Sequence, residues 1–124
     1  MPQAKNTNFL IEAQKLSSFI YRIIPNVNKK WRYGIMDSIK NTVENVLRQS
    51  YVAWGIEWGD RKPTQMLIEA ELRTLDSLLL AARENRAITE RQLGSLATLI
   101  MNTRRGVYRW IKGTSKDGKD KGDI

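Results

Sequence analysis

The sequence predicts an all-α protein, an antiparallel up-down-up-down four-helix bundle, on three observations. Apolar residues recur every three or four positions in four separate segments. No segment shows the strict alternation of a half-buried strand. The connections between segments are short and carry proline, glycine or capping residues, as helices that pack beside their chain neighbours require.

The first segment, 8–24, places Phe9, Ala13, Leu16, Ile20 and Ile23 on one face. Leu10, Ser17, Tyr21 and Ile24 form a second seam beside it, so this helix is expected to touch two neighbours. Pro25 ends it, because the residue before a proline is pushed out of the α region. The second segment, 30–54, turns Ile35, Ile39, Val43, Val46 or Leu47, and Ser50 inward. Asp37, Lys40, Glu44 and Arg48 alternate in sign along it and read as a solvated face. Gly55 and Gly59 break this helix, and Asp60 to Lys62 form a charged connection.

Pro63 suits the first turn of a third helix, 63–85, where its missing N–H would be unpaired anyway. Ile68, Leu72, Leu75, Leu79 and Ala82 face the core. Leu67, Ala70, Leu78, Leu80 and Ala81 lie on other arcs, so its middle is apolar nearly all round. Two readings account for this: a contact between copies of the chain, or burial under the connection that precedes the helix. The fourth helix, 89–112, opens on a capping box of Thr89 and Gln92, with Ile88 and Leu93 as its hydrophobic staple. Its inward face is Leu93, Leu96, Ala97, Ile100, Val107 and Ile111, and Arg104 falls in the same stripe. Arg104 either pairs with a carboxylate across the bundle or lines a polar channel, and the pair is favoured. The stretch 113–124 lacks periodicity and is expected to be disordered.

Composition narrows the function. The 124 residues carry a net charge of +8, which favours nucleic acid or an anionic membrane over an acidic protein as a partner. Absence of Cys and His removes disulfides, thiolate nucleophiles, imidazole catalysis and Cys/His metal sites. No glycine-rich phosphate loop is present, and Glu69 and Glu71 point to different faces of their helix. The expectation is a non-enzyme without cofactor or metal. No apolar run approaches a membrane span and no secretory leader is recognisable, so a cytoplasmic protein is expected.

Charge is concentrated in the fourth helix. Arg91, Arg104, Arg105, Arg109 and Lys112 stand against the single acid Glu90. At 100° per residue Arg91, Arg105, Arg109 and Lys112 fall within an arc of roughly 60°, beside Thr98 and Asn102. Such a stripe accepts like-charge repulsion, and polyphosphate is the commonest partner that relieves it. A surface that is basic only for solubility is the plainer alternative. Arg83 and Arg86 close the third helix near Arg91, and the five arginines Arg83, Arg86, Arg91, Arg105 and Arg109 are expected to form one continuous surface. A second basic group, Lys29, Lys30 and Arg32, interleaves with Trp31 and Tyr33, while Tyr108 and Trp110 flank Arg109. Aromatic rings among Arg and Lys suit unpaired bases. Packing at helix ends is the alternative for Trp31, Tyr33 and Trp110.

Ile24-Pro25 closing the first helix, Lys30-x-Arg32-Tyr33-Gly34-Ile35 opening the second, the leucine-rich third helix, and Gly106-x-x-x-Trp110-Ile111-Lys112 ending the fourth form an ordered set. In these the chain resembles the four-helix-bundle proteins encoded in intervening sequences of large-subunit ribosomal RNA. It resembles more closely their relatives, the accessory variability determinant (Avd) proteins of diversity-generating retroelements. The turn between Pro25 and Arg32 is a few residues longer than in the family. The Asn-Ile-Ala-Glu-Gly-like stretch of the ribosomal branch is replaced by Tyr51-Val52-Ala53-Trp54-Gly55-Ile56-Glu57, which favours the retroelement branch. The resemblance implies a homopentameric, non-catalytic protein that binds the retroelement's reverse transcriptase and its template RNA and supports mutagenic cDNA synthesis. The alternative is an RNA-binding or structural oligomer of the ribosomal type without a polymerase partner.

Overall fold

The computed structural model describes residues 8–56 and 60–117, and side chains within 9–56 and 60–112. Every regular element among the described residues is helical: α1 (Asn8–Ile23), a 3-10 turn (Ile24–Asn26), α2 (Lys29–Arg32), α3 (Ile35–Trp54), α4 (Lys62–Glu84) and α5 (Glu90–Asp117). Helix α1 packs on α3 and α5, and α4 packs on the same two helices, so one core lies between the four long elements.

Each long helix buries residues spaced alternately three and four apart, which keeps one narrow seam facing inward along its length. The seam is Phe9, Ala13, Leu16, Ile20 and Ile23 in α1, and Met36, Ile39, Val43, Val46, Ser50 and Ala53 in α3. It continues as Gln65, Ile68, Leu72, Leu75 and Ala82 in α4, and as Leu96, Ile100, Thr103, Val107 and Trp110 in α5. The hydroxyls on this seam are satisfied locally: Ser50 Oγ donates to Val46 O at 2.6 Å and Thr103 Oγ1 to Leu99 O at 2.9 Å. A buried hydroxyl bonded to its own helix avoids the penalty of an unpaired polar group.

Three boundaries differ from the sequence expectation. The second segment is not one helix: it breaks at Tyr33 and Gly34 between α2 and α3. Asn28 Oδ1 accepts from Lys30 N and starts a short separate turn. Arg32 then reaches back, donating from Nε and Nη2 to Val27 O and from Nη2 to Pro25 O, which holds that turn apart from α3. The connection before α4 is not simply a charged loop either. Arg61 is 2% exposed, with Nε donating to Ile56 O and Nη2 to Trp54 O, so it caps the carbonyl end of α3. Finally, α5 continues to Asp117, past Lys112, because extending an existing helix adds one hydrogen bond per residue and needs no apolar face. The rest of the segment expected to be disordered lies outside the described residues.

At the far end of α4 the chain closes in a Schellman turn. Ala87 N donates to Ala82 O at 2.8 Å and Arg86 N to Arg83 O at 3.1 Å. Arg86 occupies the left-handed position there, with φ 54°, where glycine is usual. The capping box of α5 forms as expected: Thr89 N donates to Gln92 Oε1 and Gln92 N to Thr89 Oγ1.

Candidate nucleic-acid interface

The structure sorts the basic residues into groups by what their elements bring together. Arg105 and Arg109, one turn apart on α5, are exposed and face Lys15 across a groove between α1 and α5. This groove, of about 420 Å³, is completed by Glu12 and Asn102. Glu12 Oε1 lies 3.6 Å from Lys15 Nζ, leaving three cations against one carboxylate. Arg83 and Arg86 line a different cavity of about 510 Å³, together with Asn26 and the capping residues Thr89 and Gln92. Asn26 belongs to the turn after α1, so the α1 and α4 ends lie at the same end of the molecule.

Arg91 is exposed in the first turn of α5, fourteen positions before Arg105. At 1.5 Å per residue this separates the two arginine groups by about 21 Å along the helix. The surface expected to be continuous is thus two cavities joined by a polar strip bearing Thr98 and Asn102. Lys112, at the other end of the strip, is exposed with its Nζ 5.5 Å from the centre of the Tyr108 ring.

The second sequence group is less uniform. Lys29 and Lys30 are exposed, with Lys30 Nζ 4.9 Å from the Trp31 ring centre. Arg32 is half-buried and its guanidinium is engaged by the Val27 and Pro25 carbonyls, so its work is to hold the turn. Trp31 is half-buried against the core, whereas Tyr33 is 76% exposed.

For two residues the structure decides between the readings the sequence left open. Trp110 is buried at 5% exposure and stacks on Phe9, with ring centroids 4.0 Å apart and planes inclined by 11°, so it is a packing residue and not a platform for bases. Arg104 does pair across helices, with Nη2 2.7 Å from Asp76 Oδ2 on α4. The pair is at the surface, however, because the inward seam passes through Thr103. Sequence reasoning placed Asn102 beside the stripe but missed Lys15 and Glu12 as groove residues, because only the packing of α1 on α5 brings them to Arg105.

The shifted titrations lie elsewhere, along α1 and α3. The Tyr21 hydroxyl donates to Glu44, and this bond and the carboxylate's charge raise its pKa. Lys40 is raised by its hydrogen bond to Asp37. Among the described residues no cluster of acidic side chains could hold a metal ion, and no helix is long and apolar enough to cross a membrane. Fold and site together define a small, basic, all-α protein with two arginine-bearing cavities, one between α1 and α5 and one at the α4–α5 turn, where Glu90 joins Arg83 and Arg86. No family model matches the chain, and no curated protein is significantly similar to it.

Proposed function

We propose that this protein is a non-catalytic nucleic-acid-binding accessory subunit, an Avd-like partner of a retroelement reverse transcriptase and its template RNA, acting in the cytoplasm. The observation that carries the nucleic-acid part is the α1–α5 groove, where Lys15, Arg105 and Arg109 converge on one concave surface. Side chains on two rigid helices lose less freedom on meeting phosphate than the same charges scattered over a loop. The retroelement part rests on the ordered resemblance described above, in which Gly106 and Trp110 acquire a physical reason through Phe9.

The reading includes an antiparallel up-down-up-down arrangement. It is supported by Gln14 Nε2 donating to Tyr51 OH and by the Tyr21–Glu44 bond, since the partner number falls as the α1 number rises. It also includes a homo-oligomer, a pentamer by the resemblance. Met66, Leu67 and Leu80 on α4 are each more than half exposed in the single chain, with Met66 and Leu80 on one flank and Leu67 on the other, apolar side chains that neighbouring copies would cover. The test is co-expression with a retroelement reverse transcriptase, followed by co-purification and by RNA binding at several salt concentrations. Co-purification, and affinity falling linearly in log–log salt, are the expected results. A protein that neither retains the enzyme nor binds RNA sinks the reading.

A further inference from the structure

The α1–α5 groove has a neighbour on the other flank of α1. Ile11, 46% exposed, lines both the groove and a second cavity, of about 290 Å³, formed by Leu10, Gln14, Tyr51 and Trp54. The two differ in chemistry. One offers Lys15, Arg105 and Arg109, the other two aromatic rings among aliphatic side chains. Tyr51 is half exposed, Trp54 is half-buried, and Gln14 Nε2 donates to the Tyr51 hydroxyl at 2.8 Å, which orients that ring at the cleft's edge.

Charge and ring placed this close suit a ligand that carries an anionic oxygen and a flat apolar face within one repeating unit. A nucleotide in an unpaired strand is such a ligand. In a duplex the phosphates remain available but the faces of the bases are stacked inside, so the aromatic cleft would go unused. We propose that the two cavities flanking Ile11 form one site for single-stranded nucleic acid, with phosphodiester on Lys15, Arg105 and Arg109 and a base against Tyr51 and Trp54. This rests on the nucleic-acid reading above and narrows it to unpaired strand. Recognition in the cleft is mainly by the face of the base, so the site tolerates sequence.

The experiment compares three labelled ligands at one low salt concentration by fluorescence anisotropy: a uridine decamer, an abasic ribose-phosphate decamer of equal charge, and a blunt RNA duplex. The parent protein should bind the uridine strand about tenfold more tightly than the abasic one, the order expected for stacking of one base. Tyr51→Leu, which keeps an apolar side chain but no ring, should abolish that preference and leave abasic and duplex affinities unchanged. Tyr51→Phe should keep it. Arg105→Gln with Arg109→Gln should weaken all three ligands. Equal binding of uridine and abasic strands by the parent overturns the proposal. So does an unaltered preference in Tyr51→Leu, or a change in oligomer mass on Tyr51→Glu, which would make the cleft a contact between copies. If the cleft proposal fails while the arginine changes still abolish binding, the broader nucleic-acid reading stands. If no ligand binds the parent, that reading falls as well.

Discussion

Gly106 and Phe9 meet with no room for a methyl group between them. A Cβ at position 106 would lie 3.0 Å from Phe9 Cα, 3.1 Å from its Cβ and 3.3 Å from its N. The backbone of α1 cannot retreat cheaply, because the Phe9 ring is stacked on Trp110 and packed 6.1 Å, centroid to centroid, from Trp54. Gly106→Ala should therefore destabilise the protein by about 1–3 kcal/mol, despite alanine's better helix propensity. Gly94, in the same helix, has nothing within 4 Å of its virtual Cβ. Gly94→Ala should stabilise by about 0.5–1 kcal/mol. Urea unfolding of the two variants checks both signs, and a stable Gly106→Ala protein would refute the close approach.

Arg86 holds a left-handed backbone conformation that costs an L-residue roughly 1 kcal/mol more than glycine. Arg86→Gly should raise the melting temperature while reducing affinity for RNA, since the same change removes a cation from the Asn26 cavity. Paired thermal unfolding and binding measurements read the two effects separately. A variant that gains stability with unchanged affinity would show that Arg86 has no part in binding.

Arg105→Gln and Arg109→Gln should weaken RNA binding by several-fold each and reduce the salt slope by about one per charge removed. Their melting temperatures should stay close to the parent's, because exposed charges contribute little to folding. Arg104→Gln should also change stability by less than about 1 kcal/mol, since its pair with Asp76 is half exposed. A large loss of stability for Arg104→Gln would place that side chain in the interior after all.

Leu67→Glu and Leu80→Glu change exposed residues on two different flanks of α4, away from its seam. Each should dissociate the oligomer while leaving helicity largely intact. Multi-angle light scattering decides this, and a parent protein with the 14.3 kDa mass of one chain would remove the need for a second copy.

Helix existence and most of the inward faces of α1, α3 and α4 were legible because apolar spacing is strong there and alternatives are few, although in α3 Met36 takes the buried position expected of Ile35. The face of α5 was rotated by part of a turn for a physical reason. A 3.6-residue period links Ile100, Arg104, Val107 and Ile111, but helices packed along a shared seam follow a 3.5 period, which selects Thr103 and Trp110 instead. Thr103 looked polar in the sequence, yet its hydroxyl is satisfied within the helix. Arg61 was hidden by similar logic: a charge in a connecting segment reads as solvated until the orphan carbonyls of Trp54 and Ile56 are seen beside it. The basic stripe of α5 was visible from spacing alone. The groove that joins Arg105 and Arg109 to Lys15, and the separate cavity that holds Arg83 and Arg86, were not, because Lys15 and Asn26 come from distant parts of the chain.

The spacing of Arg91 from Arg105 along α5 has a consequence for ligand length. A stacked single strand advances about 3.4 Å per nucleotide, so the 21 Å or so between the arginine groups corresponds to about six nucleotides. Shorter strands can meet one arginine group at a time. A strand long enough to reach both converts its second contact into an intramolecular one, with the gain that tethering brings. Affinity should then rise in a step, not in proportion to charge, as oligonucleotides grow past that threshold, and each helix α5 would act as a measure of strand length.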